Sequence, residues 1–110
     1  VVKPYFGHYS YTKVSIISNA SSGIGVYYCG YVNTQNNNLV THYVGRAKGD
    51  EVTIRSRLLD HLNNDNWADV SHFGYRECTT KKEAEDLETK EIKRLQPKYN
   101  TQGKAAFQSW

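Results

Sequence analysis

No stretch of this 110-residue chain approaches the roughly 18 apolar residues that a membrane-spanning helix requires. No signal-peptide pattern opens it. A membrane is therefore not expected as a partner. Cysteine is scarce. Cys29 and Cys78 are the only two, and two thiols do not make a disulfide framework. Both stand in strand-like surroundings, so buried free thiols are expected, which leans toward a reducing, cytosolic setting. No pair of histidines at ligand spacing joins them, which excludes a Cys/His zinc site. There is no internal repeat and no low-complexity region beyond a short Asn tract. Charge of one sign is in small excess: 14 Lys and Arg against 11 Asp and Glu give +3, with a pI of about 8.9. That balance is compatible with a polyanionic partner without requiring one. Apolar residues make up 38% and mean hydropathy is -0.72, enough for one small core with little surplus. The length fits one domain rather than two. Because the first residue is Val rather than Met, a fragment or processed piece is expected, with further domains left open.

What is present is a succession of short, well-marked elements. Tyr9 to Ser18 combines β-branched and aromatic residues in partial alternation, which predicts a strand. Asn19 to Gly25 is turn chemistry. Further strands are predicted over Ile24 to Val32 and Leu39 to Arg46, joined by the polar loop Asn33 to Asn38. After the basic, glycine-broken Arg46 to Asp50, an apolar stripe at Val52, Ile54 or Arg55, Leu58, Leu59 and Leu62 predicts a helix from Val52 to Asn63. Thr53 or Asp50 is its expected cap, and Asn63 to Asn66 ends it. Val70 to Cys78 predicts another strand, interrupted by Gly74. Thr80 to Glu83 has the capping-box pattern. It opens a second helix, Lys81 to Leu95, stopped before Pro97. This order is simplest as an α+β domain, a small and mainly antiparallel sheet flanked by helices.

Three features stand out against that background. Glu88 lies four residues after Ala84 and four before Ile92, on the helix face that Leu87 and Leu95 also mark as sheet-facing. A carboxylate there is costly unless paired, hydrogen-bonded or bound to a cation; the alternative places it at the stripe's edge, reaching solvent. Glu83, Glu85, Asp86 and Glu91 are expected on the solvated face. Arg57 and His61, four apart, share one side of the first helix. One is a strong phosphate partner and the other titrates near neutrality, although Arg or His beside an apolar stripe is also an ordinary structural feature. Finally, each of the two middle strands sets a tyrosine beside a small apolar residue and a glycine, in Gly25-Val26-Tyr27 and Tyr43-Val44-Gly45. Alternation puts Tyr27 and Tyr43 on one face if the hairpin register keeps their parity. Gly25 and Gly45 are expected to give backbone freedom and room for a substrate. Tyr28 and Tyr31 are taken as plain strand aromatics.

Together these residues resemble the GIY-YIG nuclease family. Gly25-Val26-Tyr27 stands for its first motif and Tyr43-Val44-Gly45 for its second, with valine for isoleucine in each. Arg57 and His61 match the Arg and the His or Tyr of the family's first helix. Glu88 matches its single metal-binding Glu, and Leu95-Gln96-Pro97-Lys98-Tyr99-Asn100 is similar to its closing motif. The block from Glu83 to Asn100 is most like the nuclease subunit of bacterial excision repair. The resemblance spans Gly25 to Asn100. It departs from compact members in a longer interval between the motifs, a longer loop from Gly45 to Arg57, and an Arg at position 46 where several members have Lys or a small residue.

The resemblance implies a metal-dependent DNA endonuclease. Its domain would run over 23–101, after an N-terminal extension (1–22) that adds one strand and before a tail (102–110). One Mg²⁺ or Mn²⁺ per site would be held by Glu88, with water and substrate completing the shell. Arg57 would pair with the scissile phosphate. Tyr27 or Tyr43 would position the water and act as general base; the resemblance favours Tyr27, with His61 receiving its proton and Tyr43 orienting phosphate or water. Asn100 would fix the geometry. Arg46, Lys48, Arg55 and Lys98 would contact backbone phosphates, unless they are solvated surface cations. DNA is the expected partner, with an added DNA-recognition domain or a dimer partner as further options, and the expected location is cytoplasmic or nucleoid-associated. The alternative is a non-catalytic or partner-dependent nucleic-acid-binding module on the same fold.

Overall fold

Thr12 begins a helix where the sequence pattern predicts a strand. In the computed structural model, which describes residues 1–100, the Thr12 hydroxyl accepts from the backbone N–H of Ser15 at 3.3 Å and caps α1 (Lys13–Asn19). The strand lies earlier, as β1 (Tyr5–Ser10). Alternating β-branched residues suggested an extended segment, but only Ile16 is buried here, while Val14 and Ile17 are exposed. One apolar anchor per two turns suits a short helix laid on the core edge. The expected tail at 102–110 lies outside the described residues.

The other elements follow the prediction closely: β2 (Gly25–Asn33), β3 (Asn38–Ala47), α2 (Ile54–Asn63), β4 (His72–Glu77) and α3 (Lys81–Leu95). Thr53 caps α2 in a reciprocal box with Ser56. Thr80 caps α3 by accepting from Glu83 N–H at 3.1 Å. The Glu83 carboxylate, however, reaches one residue beyond the box to the N–H of Thr79 (2.8 Å). Gln96, left-handed with φ 46°, ends α3 just before Pro97. The Asn tract serves the hairpin: Asn33 and Asn36 side chains accept from the N–H groups of Gln35 and Asn38, and Asn37 takes the left-handed turn position (φ 59°) that Asn tolerates better than most residues.

Four strands form one sheet in the order β1-β4-β2-β3, every pair antiparallel. Side chains therefore alternate between two layers. On one face Tyr27, Cys29, Phe73 and Tyr75 pack with Ile16 of α1 and Ile54 and Leu58 of α2. On the other, Val26, Tyr28, Val44 and Cys78 meet Ala84 and Leu87 of α3. Both cysteines are free and buried, as expected.

The α3 layer corrects one assignment. Glu91, placed by spacing on the solvated face, is only 4% exposed. Its carboxylate accepts from the Tyr28 hydroxyl at 2.8 Å and from Arg94 Nε and Nη2 at 2.6 and 2.9 Å. Tyr28 is correspondingly buried and tethered. Arg94 is the first cause, and the Tyr28 hydrogen bond another, of a Glu91 pKa below its ordinary value of 4.5. A depressed folded-state pKa means stability is present above the unfolded value and lost as pH falls through the folded one. Glu91→Gln is thus expected to cost about 1–3 kcal/mol at neutral pH. The gap to wild type should close as pH drops below about 4.5. Denaturant titrations of both proteins across that range check it; a gap that does not change with pH removes the ionic role.

Candidate active site

The β2–β3 register decides whether the two motif tyrosines can act together. Tyr27 stands opposite Gly45, and Cys29 opposite Tyr43. The next pair is Gly30 with Thr41, so His42 is an extra residue in β3 and forms a bulge. The irregularity falls beyond Tyr43 and leaves it on the same face as Tyr27. Their ring centroids are 6.2 Å apart. Gly45 explains how the Tyr27 ring fits: a Cβ there would lie 2.2 Å from Tyr27 Cζ. Gly25 is similar, its absent Cβ falling 2.2 Å from the carbonyl oxygen of Arg76. Neither glycine has positive φ. Their role is close approach, not the backbone freedom expected from the sequence.

Helix α2 crosses this face and brings Arg57 and His61 to the tyrosines. His61 Nε2 lies 2.9 Å from Tyr27 Oη, and His61 Nδ1 lies 2.9 Å from Nδ2 of Asn66 in the following loop. Trp67 packs over the histidine ring at 4.6 Å and over Tyr43 at 4.7 Å between centroids. Arg57 is near enough for its charge to act on Tyr27 and Tyr43. Asn100 works at one remove. Its side-chain amide pairs with the backbone of Val44 in both directions, each bond 2.7 Å. Together with the bond from Tyr99 N–H to His42 O (2.7 Å), it covers the edge of β3 and holds the strand that carries Tyr43.

Glu88 comes from the opposite layer. It is partly buried on α3, with Arg46 Nε 3.8 Å from its Oε1, and it exerts a charge effect on Tyr43. Arg46 also bonds Glu85 at 3.0 Å, so this cation is held between two carboxylates. Arg46, Lys48, Val52 and Arg57 line a cleft of about 400 Å³. The other two expected phosphate contacts are not brought there. Arg55 donates twice to the carbonyl of Ala20 at the end of α1 (3.1 and 3.0 Å). Lys98 pairs with Asp69 at 2.7 Å.

Burial governs the electrostatics. It raises Tyr27, which is wholly inaccessible, far above the ordinary phenol value; neighbouring Tyr43 adds to this and Arg57 opposes it. Burial also raises Tyr43, while Arg57 opposes it. His61 is pushed down to about 4 by burial and then by the Arg57 charge, so it is neutral at pH 7. Burial raises Glu88, with Arg46 opposing. A carboxylate whose charge the fold disfavours is the kind of group that functional sites keep.

Among the described residues no three His, Cys, Asp or Glu side chains converge as a metal cage. Glu88 supplies one hard oxygen donor, which suits Mg²⁺ or Mn²⁺ when water and phosphate oxygens fill the other positions. With Arg46 and Arg57 adding positive charge around it, a cation without an accompanying phosphate is disfavoured there.

The sequence did not point to Asn66 and Trp67. In the sequence Asn66 reads only as part of a helix stop, and its closeness to His61 depends on the left-handed Asp65 (φ 52°) turning the chain back. A slightly larger cavity of about 420 Å³ lies under α3, lined in part by Tyr5, Tyr28, Arg76, Glu91 and Arg94. Its carboxylate is already satisfied by Tyr28 and Arg94, which makes it a poorer place for chemistry than the cleft at Arg57. No described helix is long and apolar enough to cross a membrane. Comparison of the chain with protein-family models, curated proteins and solved structures finds no match.

Proposed function

We propose that this chain is a GIY-YIG-type, divalent-metal-dependent endonuclease that hydrolyses a DNA phosphodiester at the cleft beside Arg57. The observation that carries this reading is the meeting of Tyr27, Tyr43, Arg57 and His61 on one sheet face, with Glu88 arriving from the other layer within electrostatic reach of Tyr43. Arg57 neutralises charge on the scissile phosphate as it develops. Glu88 would hold a Mg²⁺ or Mn²⁺ ion, which would supply charge stabilisation to the leaving oxygen. Tyr43, half-buried, is the phenol that meets the attacking water. Tyr27 backs it from the interior, since a group with no accessible surface does not reach solvent in the resting state. Arg46 and Lys48 position the backbone, and Asn100 holds β3 in place.

The second reading is a nucleic-acid-binding module without activity of its own. It is favoured by Arg46, which lies 3.8 Å from Glu88 and competes with any cation there. Incubation with supercoiled plasmid and with branched DNA separates the two. Nicking in Mg²⁺ or Mn²⁺ that stops on chelation supports the nuclease; binding without nicking in either metal supports the module. Affinity should fall with salt in both cases, and Arg46→Ala or Lys48→Ala should each flatten the log–log slope by about 0.9. A flat wild-type slope overturns both readings.

A further inference from the structure

The two hydrogen bonds of His61 fix which way its protons point. An amide nitrogen only donates. Asn66 Nδ2, 2.9 Å from His61 Nδ1, therefore requires a lone pair on Nδ1. A neutral imidazole with its lone pair on Nδ1 carries its proton on Nε2, and Nε2 lies 2.9 Å from Tyr27 Oη. His61 thus donates to Tyr27 and does not accept from it. The Tyr27 hydroxyl hydrogen must then point elsewhere. Arg57 has no acceptor to offer, and the phenol beside Tyr27 is Tyr43, its ring centroid 6.2 Å away.

We propose that Asn66 is a positioning residue that locks His61 as a donor to Tyr27, so that two directed hydrogen bonds run from Asn66 through His61 to Tyr27 and leave the Tyr27 hydroxyl hydrogen free for the neighbouring Tyr43. This direction is opposite to the one the family resemblance implies, in which His61 takes the proton of Tyr27. Its catalytic meaning rests on the nuclease reading: donors aligned toward Tyr43 stabilise negative charge on its oxygen. Its structural content stands without that reading. Asn66 is exposed and follows the helix, so it can be replaced with little effect on the core.

Long-range ¹⁵N–¹H correlation spectra of the His61 ring in the whole chain give the test. In wild type the protonated nitrogen should be Nε2. In Asn66→Asp the carboxylate accepts from Nδ1–H, and the ring should change to the Nδ1–H tautomer; Asn66→Ala should lose the wild-type preference without acquiring the opposite one. A wild-type ring protonated on Nδ1, or an Asn66→Asp spectrum unchanged from wild type, overturns the proposal. Nicking should fall roughly a hundredfold in Asn66→Asp. If the tautomers behave as expected while wild type nicks nothing, the nuclease reading fails and the hydrogen-bond direction survives.

Discussion

Glu88→Ala should abolish metal-dependent nicking, by at least about 10³-fold, while leaving the fold as stable as wild type or slightly more so. On the nuclease reading the activity loss follows from Glu88 being the carboxylate that would hold the divalent cation, whose charge stabilisation is worth several kcal/mol, each 1.4 kcal/mol being about tenfold in rate. The stability side follows from the sign of its pKa shift. Burial raises Glu88, so the ionised form is less favourable in the folded chain than in the unfolded one. Above the ordinary value of 4.5 that difference counts against folding, and removing the carboxylate relieves it. The nearby Arg46 is 3.8 Å away, too far for a strong hydrogen bond, and it keeps Glu85 as a partner. Nicking assays paired with denaturant unfolding at neutral pH make the comparison. Undiminished nicking removes Glu88 from the site; a large loss of stability makes it structural instead.

The sequence was most legible where one local rule decided the outcome. Thr53 and Thr80 marked helix starts, Pro97 marked a stop, and the paired glycine–tyrosine triplets marked the two strands of the hairpin. Arg57 and His61 share a helix face because four residues make about one turn, which is why their meeting with the tyrosines could be anticipated. The failures share a different cause. Whether Val14, Ile16 and Ile17 form a strand or a helix depends on which of them finds a partner across the chain, and periodicity over so few residues does not say. The place of Glu91 on the helix points to solvent, yet a tyrosine from β2 and an arginine one turn ahead make its burial tolerable. Charge alone groups Arg55 and Lys98 with the other cations; the carbonyl of Ala20 and the carboxylate of Asp69 claim them. Asn66 became visible only once its contact with a ring nitrogen was known.

Gly45→Ala is expected to destabilise the protein by about 3 kcal/mol or more, at the upper end of what overpacking costs and a large part of a small domain's total stability. The added methyl carbon would lie 2.2 Å from Tyr27 Cζ and 2.3 Å from its hydroxyl oxygen. The ring has little freedom to yield. It is fully buried, held at its tip by His61, and packed in the cluster that contains Ile54, Leu58 and Phe73. Relief must come from bending β3 away, which strains the bonds between Asn100 and Val44 on the outer edge of the same strand. The site would be disturbed with it, since Tyr43 rides on β3. Gly23→Ala is the control, because its Cβ would meet nothing nearer than the Ser21 hydroxyl at 3.2 Å. Denaturant unfolding of Gly45→Ala, Tyr27→Ala and the double variant measures the coupling. The double variant should cost clearly less than the sum of the singles, because removing the ring makes room for the methyl group. Full additivity, or a Gly45→Ala protein as stable as wild type, would show that the strand crossing at Tyr27 and Gly45 is looser than this packing requires.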